Sequence, residues 1–93
     1  MNIAFSRILK IGERKFEFNF RKRPAPFPHY HVDVTDERGA RIAFTMTKTQ
    51  DHEWSSEGTA VPLWVVASEA SLGKAIEEEE ITFNNDLEHY AKR

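Results

Sequence analysis

The sequence predicts an α+β domain in which an antiparallel meander of about four or five strands is packed on one face by a C-terminal helix. Two observations carry this prediction. Between Phe16 and Met46, apolar side chains recur at every second position in three separate runs, the period of half-buried strands. Beyond Pro62 the apolar spacing lengthens to that of a helical face. A chain of 93 residues with 40% hydrophobic residues and four each of glycine and proline is globular in composition and has material for one core. One domain over 1–93 is therefore expected, with the sheet over about 3–56, the helix over about 62–80 and a tail over 81–93.

The elements follow in order. "IAFSRILKI" (3–11) is rich in branched and aromatic residues and ends at Gly12-Glu13, which reads as a strand and a turn. In "RKFEFNFRK", Phe16, Phe18 and Phe20 alternate with charged and polar residues, so one face is apolar and the other wet. "RPAPFP" places three prolines within five positions and forms a stiff connector with few backbone donors. Tyr30, Val32 and Val34, then Ile42, Phe44 and Met46, form the two arms of a hairpin whose turn, "DERGA", offers Gly39 for a positive φ. "HEWSS" reads as a further short strand centred on Trp54. In "PLWVVASEASLGKAIEEEE", Val65, Leu72 and Ile76 share one helical face and Pro62 suits a first helical position. The rival is a last strand at "LWVVA" followed by a shorter helix capped by Ser68 and starting at Glu69. The tail "ITFNNDLEHYAKR" reads as a short helix opened by Asn84 or Asn85, or as a partly ordered end.

Nine positions (16, 18, 20, 30, 32, 34, 42, 44 and 46) are expected to face the core, because a slip of one residue would expose all of them. The intervening residues then face outward. Among these, His29, His31 and Asp33 stand at alternate positions of one strand. Two imidazoles at i and i+2 suit zinc or nickel if a third and fourth ligand converge, and Asp33, His52 and Glu53 are the candidates to join His29 and His31, His52 foremost if "HEWSS" pairs beside the hairpin. The alternative is that both are plain exposed strand histidines. No other cofactor is expected.

Several function classes are excluded or disfavoured. The absence of cysteine removes disulfides, thiol nucleophiles and cysteine-based zinc sites. There is no phosphate-cradling glycine loop, nucleophile elbow or His-Glu-x-x-His motif, so no catalytic residue is assigned and a non-enzymatic protein is expected. No apolar run approaches the roughly 18 residues of a membrane span, and a cytoplasmic protein without membrane partners is the default expectation. The net charge of -2 hides a strong polarity. Residues 1–23 carry seven basic side chains against two acidic ones, and residues 51–91 carry ten acids against Lys74 alone.

Two binding readings remain. The first is a protein-interaction module, including a homodimer. Trp64 lies off the Val65, Leu72 and Ile76 stripe, Trp54 is uncommitted, and tryptophan is enriched at binding hot spots. Glu77, Glu78, Glu79 and Glu80 lie near the expected helix end, where the dipole disfavours negative charge. Arg21, Lys22 and Arg23 would compensate them within the chain or across a dimer. The second reading is a nucleic-acid binder. Strands from "IAFSRILKI" to "HEWSS" followed by one helix resemble, over residues 3–80, the element order of PUR repeats and whirly-type single-stranded nucleic-acid binders. The resemblance implies binding of single strands on the sheet by a dimer, with Lys15, Arg21, His31 and Arg41 meeting phosphates. Such binding draws on stacking rings, whereas Phe16, Phe18, Phe20, Tyr30 and Phe44 all have core parity.

Overall fold

A computed structural model describes residues 3–58 and 60–91, with side chains placed to residue 83. Five strands, β1 (Ala4–Ile11), β2 (Arg14–Arg23), β3 (His29–Thr35), β4 (Arg41–Lys48) and β5 (Trp54–Glu57), form one sheet in sequence order, every neighbouring pair antiparallel. Two helical segments follow, α1 (Leu63–Val66) and α2 (Glu69–Ala91). The meander arises because each turn carries its own local chemistry. Gly12 takes φ 64° between β1 and β2, and Gly39 takes φ 82° between β3 and β4, conformations that a side chain would strain. In the second turn the Asp36 carboxylate accepts hydrogen bonds from the backbone N–H of Arg38 (2.9 Å) and Ala40 (2.8 Å), the local bonding that makes Asp a turn residue.

The pairing register sets one parity across the sheet. Phe18 lies opposite Val34, Phe20 opposite Val32 and Tyr30 opposite Met46. These side chains, with Phe44, are buried under Val65, Leu72, Ala75 and Ile76 of the helices. Phe16 and Ile42, at the margin of the same face, are half-buried and pack against the core. Strand β1 joins with odd numbers inward: Phe5 opposes Phe20 and Leu9 opposes Phe16, so Ile3, Phe5, Leu9 and Ile11 extend the apolar face. Arg7 shares that inward parity, opposite Phe18.

The helical region differs from both expectations. In place of an unbroken helix over 62–80, α1 makes a single turn and the chain breaks at Ala67 and Ser68 before α2 starts. "LWVVA" is not a strand, and the Ser68 hydroxyl does not cap α2. It donates to the Trp64 carbonyl at 2.8 Å, a backbone acceptor one turn earlier that competes with the cap. Nor does α2 stop at residue 80. It continues through Ala91 and absorbs most of the expected tail, so Glu77 to Glu80 lie mid-helix, beyond the reach of a terminal dipole. Side chains from Asn84 onward lie outside the described residues.

Gly73 marks where α2 meets the sheet. A Cβ there would lie 2.7 Å from Trp54 Cγ and 2.8 Å from its Cβ. In an ordinary helix interior, Gly→Ala stabilises by about 1 kcal/mol. Here overpacking should prevail, so Gly73→Ala is expected to destabilise the domain by about 1–3 kcal/mol in urea titrations; a raised midpoint would mean that the helix does not approach Trp54 this closely.

Candidate functional site on the outer sheet face

The helix side of the sheet binds its charged and aromatic residues to one another. Trp64 is half-buried and stacks on Phe16, with ring centroids 4.9 Å apart. Trp54 meets Tyr30 edge-on at 5.8 Å and donates its indole N–H to Glu77 at 3.1 Å. Glu77 also pairs with Lys48 at 3.3 Å. The Trp54 hydrogen bond, followed by Lys48, holds its carboxyl below the usual range. Glu78 and Glu79 pair with Arg7 at 3.1 and 3.4 Å. Glu80 accepts hydrogen bonds from Lys22 (2.9 Å) and from the Tyr30 hydroxyl (3.0 Å). Both tryptophans and all four glutamates proposed from sequence as partner contacts therefore already have partners within the chain. Of the three cations expected to compensate the glutamates, Lys22 does so. Arg21 and Arg23 have the opposite parity, and their place is taken by Arg7 and Lys48.

The opposite face of the sheet carries no helix among the described residues. Its small residues, Ala4, Ser6, Ala43 and Thr45, form the floor of an open depression of about 840 Å³. A polar ladder crosses this floor. The Ser6 hydroxyl donates to Asn19 (2.6 Å), the Asn19 amide donates to Asp33 (2.9 Å), and Arg41 donates to the other Asp33 oxygen (3.0 Å). Lys10, Lys15, Arg21, Arg23 and Arg41 have outward parity, against Glu17, Asp33 and Glu57. This face is thus net positive while the whole chain is net negative.

Its cations are unevenly placed. Arg21 lies directly opposite His31, and Arg23 opposite His29, so β2 and β3 gather four basic side chains at one corner. His31 is exposed, yet its imidazole is held below the ordinary range, first by desolvation and then by the positive neighbours Arg23, His29 and Arg21. Arg41 is engaged by Asp33. Lys15 stands at the other end of β2 opposite Lys10, about 20 Å along the strand from Arg21. The four residues assigned to phosphates from sequence are therefore outward, but only Arg21 and His31 are adjacent.

The connector between β2 and β3 adds what the strand pattern lacked. Phe27 is 54% exposed. Its ring centroid lies 5.4 Å from that of His29, which lies 5.2 Å from that of His31. The His29 Nδ1–H donates to the Phe27 carbonyl at 2.7 Å, which orients the ring and leaves Nε2 uncommitted. Three rings thus form a column beside two guanidinium groups. The expectation that the outer face lacks a stacking ring is corrected on this point. Phe27 was missed because it sits in a loop, where strand parity assigns nothing; its only signal was an aromatic residue between two prolines.

The metal trio is not assembled. His52 lies in the β4–β5 turn at φ 63° and borders a crevice with Trp54, Glu69 and Gly73 on the helix side. No group of three His, Asp or Glu side chains converges among the described residues. Comparison with family models, curated proteins and solved structures gives no match.

The contact between Tyr30 and Glu80 can be read directly. Burial, and secondarily the Glu80 carboxylate, push the Tyr30 phenol above its ordinary value of 10.0. A group raised on folding stabilises the native state below its unfolded value, so this contribution should be lost as the pH rises above about 10. In an ultraviolet titration the Tyr30 phenol should ionise well above its ordinary value of 10.0. Loss of the high-pH phenol transition in Tyr30→Phe is expected, and a Tyr30 phenol that ionises at its ordinary value would mean that it is not enclosed beside Glu80.

Proposed function

We propose that the domain is a non-enzymatic, cytoplasmic module that binds single-stranded nucleic acid on its outer sheet face. The observation that carries this reading is the column of Phe27, His29 and His31 flanked by Arg21 and Arg23. Rings accept bases on their faces without requiring a particular sequence, and arginines meet the backbone phosphates. Only a single strand presents unstacked bases to such a column. The broad, open depression beside it suits a polymer lying across strands better than a small molecule enclosed on all sides. The acidic helix is no obstacle, because Glu77 to Glu80 are paired within the chain and lie on the far side of the sheet. Screening over roughly 8–10 Å at physiological salt weakens what repulsion remains. The two features that favoured a protein partner, a free Trp64 and an unbalanced glutamate run, are both satisfied internally.

Fluorescence anisotropy with labelled oligo-dT at low salt tests the reading. Each phosphate contact contributes about 0.7 to the log–log salt slope for a single strand, so replacing both Arg21 and Arg23 with Gln should reduce the slope by about 1.4. Phe27→Ala should weaken binding by about 1–3 kcal/mol, the usual cost of losing one stacked base. No binding at about 50 micromolar protein in low salt would remove the proposal, since such contacts are strongest there.

A second reading, self-association, has one specific observation behind it. Strand β1 pairs only with β2 among the described residues, which leaves an eight-residue edge. Ile8 on it is 63% exposed. Unpaired edges template pairing with another chain, and two copies joined along β1 would make the outer face continuous. Sedimentation should then give twice the mass of one chain, and Ile8→Lys should return it to a monomer. A monomeric mass for the native chain at about 100 micromolar, a concentration at which even weak edge pairing registers, would end this reading.

A further inference from the structure

We propose that binding at the β2–β3 corner is coupled to protonation of His29 and His31, so that the domain takes up protons when it engages a single strand and holds it more tightly at mildly acidic pH. The inference rests on the nucleic-acid reading above and extends it to regulation. Its basis is geometric. Each imidazole faces an arginine directly across the strand pair, His31 opposite Arg21 and His29 opposite Arg23, and the two imidazole rings are themselves neighbours at 5.2 Å. Four groups that carry positive charge when protonated are thus packed on one open corner.

The remaining charged groups on that face do not neutralise the corner. On β3, Asp33 is already shared between Asn19 and Arg41. Opposite His31 on β4 stands Thr45, which is uncharged, and beyond it on β5 stands Glu57, hydrogen-bonded to Thr47 at 3.3 Å. No element of the described chain covers the corner from above. In the free protein His31 is held below the ordinary imidazole range by desolvation and then by its positive neighbours Arg23, His29 and Arg21. A phosphodiester placed between the arginines reverses the sign of the local field. It raises the proton affinity of both imidazoles, and by linkage the protonated form binds the strand more tightly. The proton is taken from solvent, and no bond other than N–H forms. His29 is arranged for this, since its Nδ1–H is committed to the Phe27 carbonyl and Nε2 remains to accept the proton. The same carbonyl contact ties the charge state of His29 to the placement of the Phe27 ring.

The test uses the full chain, labelled oligo-dT and a chelator in the buffer, with affinity measured at pH 6 and pH 8. The His29→Gln/His31→Gln double variant serves as reference, and His52 and His89 remain in it as internal controls. The native chain should bind more tightly at pH 6 than at pH 8, by up to about tenfold for each unit by which binding raises an imidazole's proton affinity, and the double variant, which also lacks two rings of the column, should bind more weakly than the native chain and with equal affinity at the two pH values. Calorimetry in two buffers of different ionisation enthalpy should show proton uptake by the native chain only. NMR titration of the imidazoles should show both raised on adding the oligonucleotide. Binding by the native chain with equal affinity at both pH values, or an undiminished pH dependence in the double variant, overturns the coupling and leaves the nucleic-acid reading standing. Absence of binding at either pH overturns both.

Discussion

Everything in this domain depends on the pleat. A strand directs successive side chains to opposite faces, and the meander register aligns those faces across all five strands. Phe18, Phe20, Tyr30, Val32, Val34, Phe44 and Met46 are consequently forced under the helices. Each large side chain removed from water contributes about 1.5–3 kcal/mol, so a shifted register would forfeit most of the favourable free energy available to so small a chain. The outer face is then populated by the residues left over. Its character was settled by the needs of the core and only afterwards became available for binding.

The same constraint sorts charge. In the run Arg21-Lys22-Arg23 the middle residue points toward the helix and its neighbours point away. Lys22 therefore reaches Glu80, whereas Arg21 and Arg23 join the histidines of β3. Arg7, on the inward parity of β1, and Lys48, at the end of β4, meet the rest of the glutamate run. The opposition between a basic N-terminal stretch and an acidic C-terminal one thus resolves into two parts. One part is internal pairing across the sheet–helix interface. The other is a remainder of cations without an ion pair among the described residues, of which Arg21 and Arg23 stand with the histidines at one corner of the opposite face and Lys10 and Lys15 stand at its other end.

Much of this was legible before any coordinates. The alternation from Phe16 to Met46, the Gly39 turn and the short strand at Trp54 are local signals whose meaning does not depend on distant residues. Strand β1 was legible as a strand but not in its facing, because "FSRILKI" carries apolar residues at both parities: Ile8 ends up outward and Leu9 inward. That ambiguity hid the inward position of Arg7, and with it the main partner of Glu78 and Glu79. The helix boundaries were obscure for another reason. Ser68 has a backbone acceptor at Trp64 as well as the N-terminal donors of α2, and propensity cannot decide between bonds of similar strength. The candidate site divides in the same way. Outward facing of His31, Arg21, Lys15 and Arg41 follows from parity. Their grouping with Phe27 does not, because the exposed proline-rich connector has no repeating pattern from which the place of that ring could be read.

The corner is also unfavourable in itself, which bears on its meaning. Two guanidinium groups and two imidazoles gathered on one patch repel one another, and part of that repulsion appears in the suppressed protonation of His31. None of the four groups belongs to the buried core, so the repulsion is not offset by burial there. Elsewhere the chain does the opposite. Arg14 pairs with Glu37, Arg41 with Asp33 and Lys48 with Glu77, although these side chains are all substantially exposed apart from Asp33. A corner that gathers two arginines and two imidazoles beside an exposed phenylalanine, in a protein that pairs its charges at several other exposed positions, is what the proposed anionic, ring-bearing ligand would balance.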